Sequence, residues 1–359
     1  MNEAMMAPGE ALLVAARGED LDSGLHRYVL NGGAWCGGLI APAPGLASLA
    51  WHPSLPVVYA VAGTGERRLL AWRIDGQGAT ALANGHSGGV EPCALAVAPT
   101  GRALVVTNYA SGTLALQRLT PDGAFDGVPE TLDLEGNGPD PERQEAAHPH
   151  HAVFDGAHLR VVGLGAELLR SYAADLSEGF VALGEEALPP GSGPRHCVAL
   201  PDGRLAITGE LAATLLVGRP GSGDWTSVPG SRRKGPAHTR SPRNYPGDLQ
   251  AGASGGHLYF ANRGHDSIAT FDLSDAAAAP RMVDERDAGV AWPQHLLMHR
   301  SHLFIAGWDS GQVVAMPLGT PLAAGMAPAT RPEKRCVPGA ARRLFDCRGA
   351  CWLLLHQPL

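Results

Sequence analysis

Short apolar runs recur along the chain in pairs, the two members separated by about five polar or turn-forming residues. VAPTGRALVVTNYASGTLALQRL from Val97, ALPDGRLAITGELAATLLV from Ala199 and ASGGHLYFANRGHDSIATFDL from Ala253 share this form. WHPSLPVVYAVAGTGERRLLAWRI from Trp51, FDGAHLRVVGLGAELLRSY from Phe154 and MHRSHLFIAGWDSGQVVAMPL from Met298 repeat it. Each reads as a turn, an apolar strand, a polar break and a second apolar strand. Enrichment in Val, Leu, Ile and aromatics between Gly, Pro, Asn and Asp is a strand signature and not a helical one. The turns return roughly every 45 to 55 residues, the period of propeller blades of about four strands each. Six blades are visible in this way. The ends supply a seventh, from ALLVAARG and LHRYVL near the start and CWLLLHQ near the finish, with Cys351 to His356 as the closing strand. Such closure joins the two ends of the chain in one blade and leaves the ring without an open end. The expected fold is all-β, a seven-bladed β-propeller spanning residues 1–359 as one domain. A pair of β-sandwich domains is the alternative, and no linker-like shift in composition between the halves favours it. The segments 218–246 and 319–340 read as long loops between strands.

Composition narrows the function. Hydrophobic residues make up 45% and charged residues 18% of the 359, as in a globular chain with a core. Gly 47 and Pro 29 favour many turns. A formal net charge of -7 argues against a nucleic-acid partner, which calls for a basic excess. The six cysteines contain no CxxC pair and read as free thiols in a reducing compartment. No apolar run reaches 18 residues, and the first residues lack a basic stretch followed by a long apolar one. A cytoplasmic protein without a membrane partner is expected; the oligomeric state is left open.

Chemistry concentrates in Gly136 to Phe154, GNGPDPERQEAAHPHHAVF. A Gly/Pro-rich approach delivers Arg143, His148, His150 and His151 to the lip of a strand that resumes at AVF. Loops held on a rigid sheet scaffold are where binding and catalytic groups gather. Counting seven residues on from the turn glycines Gly101, Gly156, Gly203 and Gly256 reaches Asn108, Gly163, Glu210 and Arg263. These are expected to be equivalent strand ends converging on one face, so an acid and an arginine share a central funnel. Pro194-Arg195-His196 lies one strand before Glu210.

These motifs together resemble the seven-bladed propeller lactonases, a family that includes bacterial 6-phosphogluconolactonase and a fungal carboxymuconate-lactonizing enzyme. The likeness rests on Gly136-x-Gly138-Pro139, Arg143-Gln144, His148-x-His150, Pro194-Arg195-His196, Glu210 and Asn262-Arg263, and it runs from about Ser23 to Leu318. It implies catalytic roles for His150, Arg195, Glu210 and Arg263. Arg143, His148, His196 and Asn108 are the expected substrate contacts. Two positions depart from the pattern: Gly163 stands where the family often has Asp, and Trp292-Pro293-Gln294 replaces a common W-P-R. The second departure bears on whether the substrate is phosphorylated.

The residues support the same chemistry directly. Opening a lactone needs a base for water, here Glu210 or His150, with cations for an anionic substrate and for the oxyanion. Arg195 and Arg263 divide those two cationic tasks, since a guanidinium grips an anion with two N–H groups. Structural roles compete at each position: an interblade ion pair for Glu210 and Arg263, a surface strand start for Arg195, a carbonyl hydrogen bond for His150, turn capping for Asn108. His148 and His151 read as positioning groups. No cofactor is expected, and Pro149 within His148-Pro149-His150-His151 makes a one-site metal chelate awkward. The expected activity is hydrolysis of a sugar-acid lactone, 6-phosphogluconolactonase-like, on an anionic small molecule. A muconate-type lactonizing isomerase, a non-catalytic binding propeller and a metal-dependent lactonase are the alternatives.

Overall fold

The computed structural model describes residues 5–63, 67–76, 78–235, 243–318 and 339–356. They form seven four-stranded antiparallel sheets. Blade 1 is built from Ala11–Ala16, Gly24–Asn31 and Ala34–Pro42, completed on its inner side by Ala350–His356. Blades 2 to 7 follow in sequence and begin at Leu46, Pro92, Pro149, Pro194, Pro246 and Pro293. The expected closing strand is present: Ala350–His356 pairs antiparallel with Ala11–Ala16, from Ala11 opposite His356 to Ala16 opposite Ala350. The inner strands touch one another around the full circle, the closing strand against both blade 7 and blade 2. Among the described residues no helix is long and apolar enough to cross a membrane.

The apolar runs that reveal the repeat are the two middle strands of each blade. Blades pack face to face on both sides, so Val57–Ala62 and Ala103–Asn108 are buried at every position and need no polar alternation. Each of the seven blade interfaces holds its own hydrophobic cluster. Tyr59, Leu69, Leu104 and Val106 join blades 2 and 3, and Phe260, Phe271, Leu215 and Val217 join blades 5 and 6. The apolar core is thereby spread around the ring, which leaves the axis to polar side chains. The outer strands are largely exposed, as in Gly78–His86 and Ala182–Ala187, and their polar composition hides them in the sequence. One of them corrects the loop reading of 218–246: Trp225–Pro229 is the outer strand of blade 5. Most of the other expected loop, 319–340, lies outside the described residues.

Candidate active site

The site is built by one irregularity repeated in all seven blades. Where each inner strand begins, its pairing with the second strand slips, at Ala47, Cys93, His150, Arg195, Gly247, Gln294 and Cys351. Such a bulge leaves a residue unpaired and re-aims its side chain. Six of these seven residues, all but Gly247, line an axial cavity of about 80 Å³ together with Arg17, His196, Trp308 and Trp352. A second ring sits just above. In every blade the residue following the second strand donates its backbone N–H to the carbonyl that precedes the inner strand. The seven donors are Arg17, Gly63, Tyr109, Leu164, Glu210, Arg263 and Trp308.

This second ring corrects the register of the repeat. Glu210 and Arg263 are equivalent, but their counterparts are Tyr109 and Leu164, not Asn108 and Gly163. Two local differences cause the slip. The first turn of blade 5, Leu200 to Arg204, is one residue shorter than that of blade 3, Ala98 to Ala103. In blade 6 the left-handed turn glycine is Gly255, at φ 70°, and not Gly256. Asn108 is fully buried, and its Nδ2 donates to Ser87 O at 3.0 Å and Thr113 Oγ1 at 3.2 Å. It braces a turn between strands and does not join the site cluster.

Four charged groups meet where the rings join. The Glu210 carboxylate accepts a hydrogen bond from Arg143 Nη2 at 2.7 Å on Oε1 and from Arg263 Nη2 at 2.5 Å on Oε2. Arg195 Nε makes an ion-pair contact with Oε2 at 2.8 Å without hydrogen-bond alignment. Arg195 also donates to Gly247 O at 2.9 Å, a carbonyl of the same bulge ring. Arg263 is committed further, through Nε to Tyr245 O at 3.0 Å and Nη1 to Gln294 Oε1 at 3.3 Å, with its guanidinium over Trp292. The position that departs from W-P-R thus accepts a hydrogen bond from Arg263. Three cations surround one carboxylate, so the cluster carries a positive excess. Burial opposes ionisation of Glu210, but the charges of Arg263, Arg195 and Arg143 outweigh it and hold the carboxyl well below its usual range. Burial, followed by the charge of Arg263, pushes Arg195 down to about 10.

His150 lies beside this cluster. It is buried, and its Nδ1 has no hydrogen-bond partner. Burial first, then the charge of Arg195, push its pKa well below the ordinary value, so the ring is neutral near pH 7. Tyr109 packs edge-on to it at 5.7 Å and stacks on His148 at 4.3 Å. His148 is held from behind, its Nδ1 2.9 Å from Tyr109 O. Beneath lies a third layer, where His196 stacks on His151 at 4.5 Å and Trp352 packs on His295 at 4.1 Å. Asp248 Oδ1 is 3.0 Å from His196 Nδ1, and its two oxygens also accept from Leu249 N and Leu296 N.

Of the eight residues singled out in the sequence, seven therefore lie in or against this polar axis. Arg143, Arg195, Glu210 and Arg263 are joined directly. His148, His150 and His196 are linked through ring contacts. Arg17, Tyr109 and Trp308 were missed. Their signal is present, since each follows the second strand of its blade, but it is legible only with the correct turn register.

The buried neutral imidazoles make the fold acid-sensitive. Burial lowers the pKa of His150, His151, His196 and His295, that of His151 to about 4. The unfolded chain protonates these groups near pH 6.5 and so binds more protons below that value. Stability is then fully present above about pH 6.5 and lost as pH falls toward 4, at about 1.4 kcal/mol per pH unit for each histidine that stays neutral. Glu210, also depressed, adds a second loss at lower pH as the unfolded carboxyl protonates. Denaturant midpoints measured from about pH 7.5 to 4.5 check this; a flat profile down to about pH 5 would contradict it.

The likeness to known proteins agrees with this architecture. Residues 44–319 match the model of the family described as Lactonase, 7-bladed beta-propeller. The 6-phosphogluconolactonase of Bacillus subtilis is 26% identical over 224 residues, which are 60% of this chain and 62% of that relative. The chain thus matches less than two thirds of that relative's length. Two solved structures are similar in fold. A protein of Lactobacillus plantarum superposes with a TM-score of 0.83 at 20% identity, over 97% of this chain and 99% of that one. The periplasmic gluconolactonase of Pseudomonas aeruginosa gives 0.80 at 21% identity, over 96% and 98%. With the family match running through most of the ring, the chain belongs to the seven-bladed β-propeller lactonase family.

Proposed function

We propose that the protein hydrolyses the lactone of a sugar acid, in the manner of a 6-phosphogluconolactonase, with the reacting carbonyl held at the axial cavity. One observation carries this reading: a buried imidazole with a free nitrogen stands beside a cluster of three guanidiniums sharing one carboxylate. In the proposed reaction His150 takes a proton from water as the oxygen adds to the lactone carbonyl. Arg195 stabilises the oxyanion that forms. Collapse of the tetrahedral intermediate breaks the ring C–O bond, and the imidazolium returns the proton to the leaving alkoxide.

Glu210 is the weaker base on physical grounds. Both of its oxygens are occupied by guanidiniums, so taking a proton would forfeit three ion pairs. Its role is to hold Arg143, Arg195 and Arg263 in place. The positive excess of the cluster supports an anionic substrate. A reducing, cytoplasmic setting is supported by the cysteines Cys36, Cys93, Cys197, Cys347 and Cys351, all unpaired among the described residues.

The test is alkali uptake at constant pH on glucono-δ-lactone with and without a 6-phosphate, with the spontaneous opening subtracted. Enzyme-dependent opening of at least one lactone is expected, unchanged by EDTA. The axial imidazoles have nitrogens already engaged, His196 with Asp248, His151 with Cys197 and His295 with Leu353. Rates equal to the spontaneous ones on both lactones would reject the hydrolase reading. Inhibition by EDTA that added metal reverses would favour a metal-dependent lactonase.

A further inference from the structure

We infer that Arg17 holds a short anionic arm of the substrate, a phosphate ester or a carboxylate, beside the reacting lactone. This rests on the proposed site and deepens it. Arg17 is the blade 1 member of the ring that contains Glu210 and Arg263. It lines the axial cavity with His150 and Arg195, and it also lines a larger groove of about 530 Å³ between blades 1 and 7. Trp308 is the other residue common to both spaces. A sugar lactone needs more room than the axial cavity alone, since small-molecule sites run to roughly 300–1,000 Å³. The carbonyl end therefore belongs at the axis and the remainder where the two spaces meet, beside Arg17 and Trp308.

The cations differ in what they have left to offer. Arg143, Arg195 and Arg263 are drawn into Glu210, and the latter two also donate to backbone carbonyls. Arg17 has no hydrogen bond from its side chain and no carboxylate partner among the described residues. Its guanidinium lies over the Trp308 ring at 5.3 Å. Stacking on an aromatic face fixes a guanidinium while leaving its N–H edge open for a two-point grip on an anion. The groove is also lined by Glu19, Asp20, Asp309 and Asp346, with Arg348 reaching Asp20 at 3.3 Å. Those acids disfavour an anion lodged elsewhere in the groove, so the arm must be short enough to end at Arg17.

The experiment compares wild type with Arg17→Ala and, as a variant that retains most of the stem, Arg17→Gln. Equilibrium titration with gluconate 6-phosphate and with gluconate reads binding apart from turnover, and Trp308 beside Arg17 offers a fluorescence signal. Both variants should weaken gluconate 6-phosphate by about tenfold or more relative to gluconate. The kcat/KM ratio of the phosphorylated to the plain lactone should fall by a similar factor, through KM. A lactone bearing a carboxylate instead of phosphate shows which anion the grip prefers. Arg17→Lys should recover part of the loss. Ligand discrimination unchanged within about twofold in both variants would overturn the assignment. Discrimination lost in a protein that opens no lactone would sustain the anion site and reject the hydrolase.

Discussion

Replacing His150 by asparagine should lower kcat by about 10²- to 10⁴-fold, the usual contribution of a positioned general base. The side chain sits at a bulge, its Nδ1 bonded to nothing, so the substitution forfeits no hydrogen bond at that atom. Fold and thermal stability should therefore change little. The pH profile gives the sharper reading. Burial and the neighbouring cations place the imidazole pKa below about 6.5, so wild-type kcat/KM should hold through neutrality and fall on the acid side as the base protonates. That acid limb should vanish in His150→Asn, leaving a low and flat rate. A variant with near wild-type kcat and an intact acid limb would remove His150 from the chemistry.

Glu210→Gln is expected to fail differently. The amide keeps the volume of the carboxylate but leaves Arg143, Arg195 and Arg263 without their shared counter-charge. Two of those cations are more than nine-tenths buried, and breaking a buried pair on one side costs about 3–5 kcal/mol. Activity should drop together with the denaturation midpoint, while the acid limb of the surviving rate persists but moves to lower pH, since the Glu210 charge that raises the His150 pKa is gone. If Glu210 were the base, the midpoint would fall as well, since the same ion pairs are lost, but the acid limb would disappear. The pH profile of the variant therefore separates the two roles.

The propeller was legible because its middle strands face apolar neighbours on both sides and so appear as uninterrupted Val, Leu and Ile runs. The closing strand was legible for the same reason, CWLLLHQ being unmistakably apolar. Outer strands such as Trp225–Pro229 were not, since their exposure removes the pattern that would announce them. The charged residues of the site could be named from His150, Arg195, Glu210 and Arg263. The convergence of Glu210 and Arg263 was legible too, from their shared place in the repeat, whereas the placement of Arg195 and His196 was not. Pleating would alternate Arg195 and His196 across the sheet, and only the bulge between Pro194 and Cys197 releases both toward the axis. Backbone slippage of that kind leaves no mark in composition. The displaced register of Asn108 had an equally local cause, one turn residue more in blade 3 than in blade 5.

The strand Ala350–His356 has a consequence for how the molecule comes into being. It pairs with Ala11–Ala16 and brings Cys351 and Trp352 to the axis, against His196 and His295. Its partners lie almost a full chain length away, so its docking bears the largest loop-closure entropy of any pairing in the ring and is placed late in folding. Six blades can assemble during synthesis by local hairpin formation, each on its predecessor. The axial floor cannot, because its last wall arrives with the final strand. A nascent chain stalled before Cys351 would carry Glu210, Arg195 and Arg263 in place and still lack a sealed site. Competence for chemistry is thus coupled to completion of the ring, a checkpoint written into the order of translation.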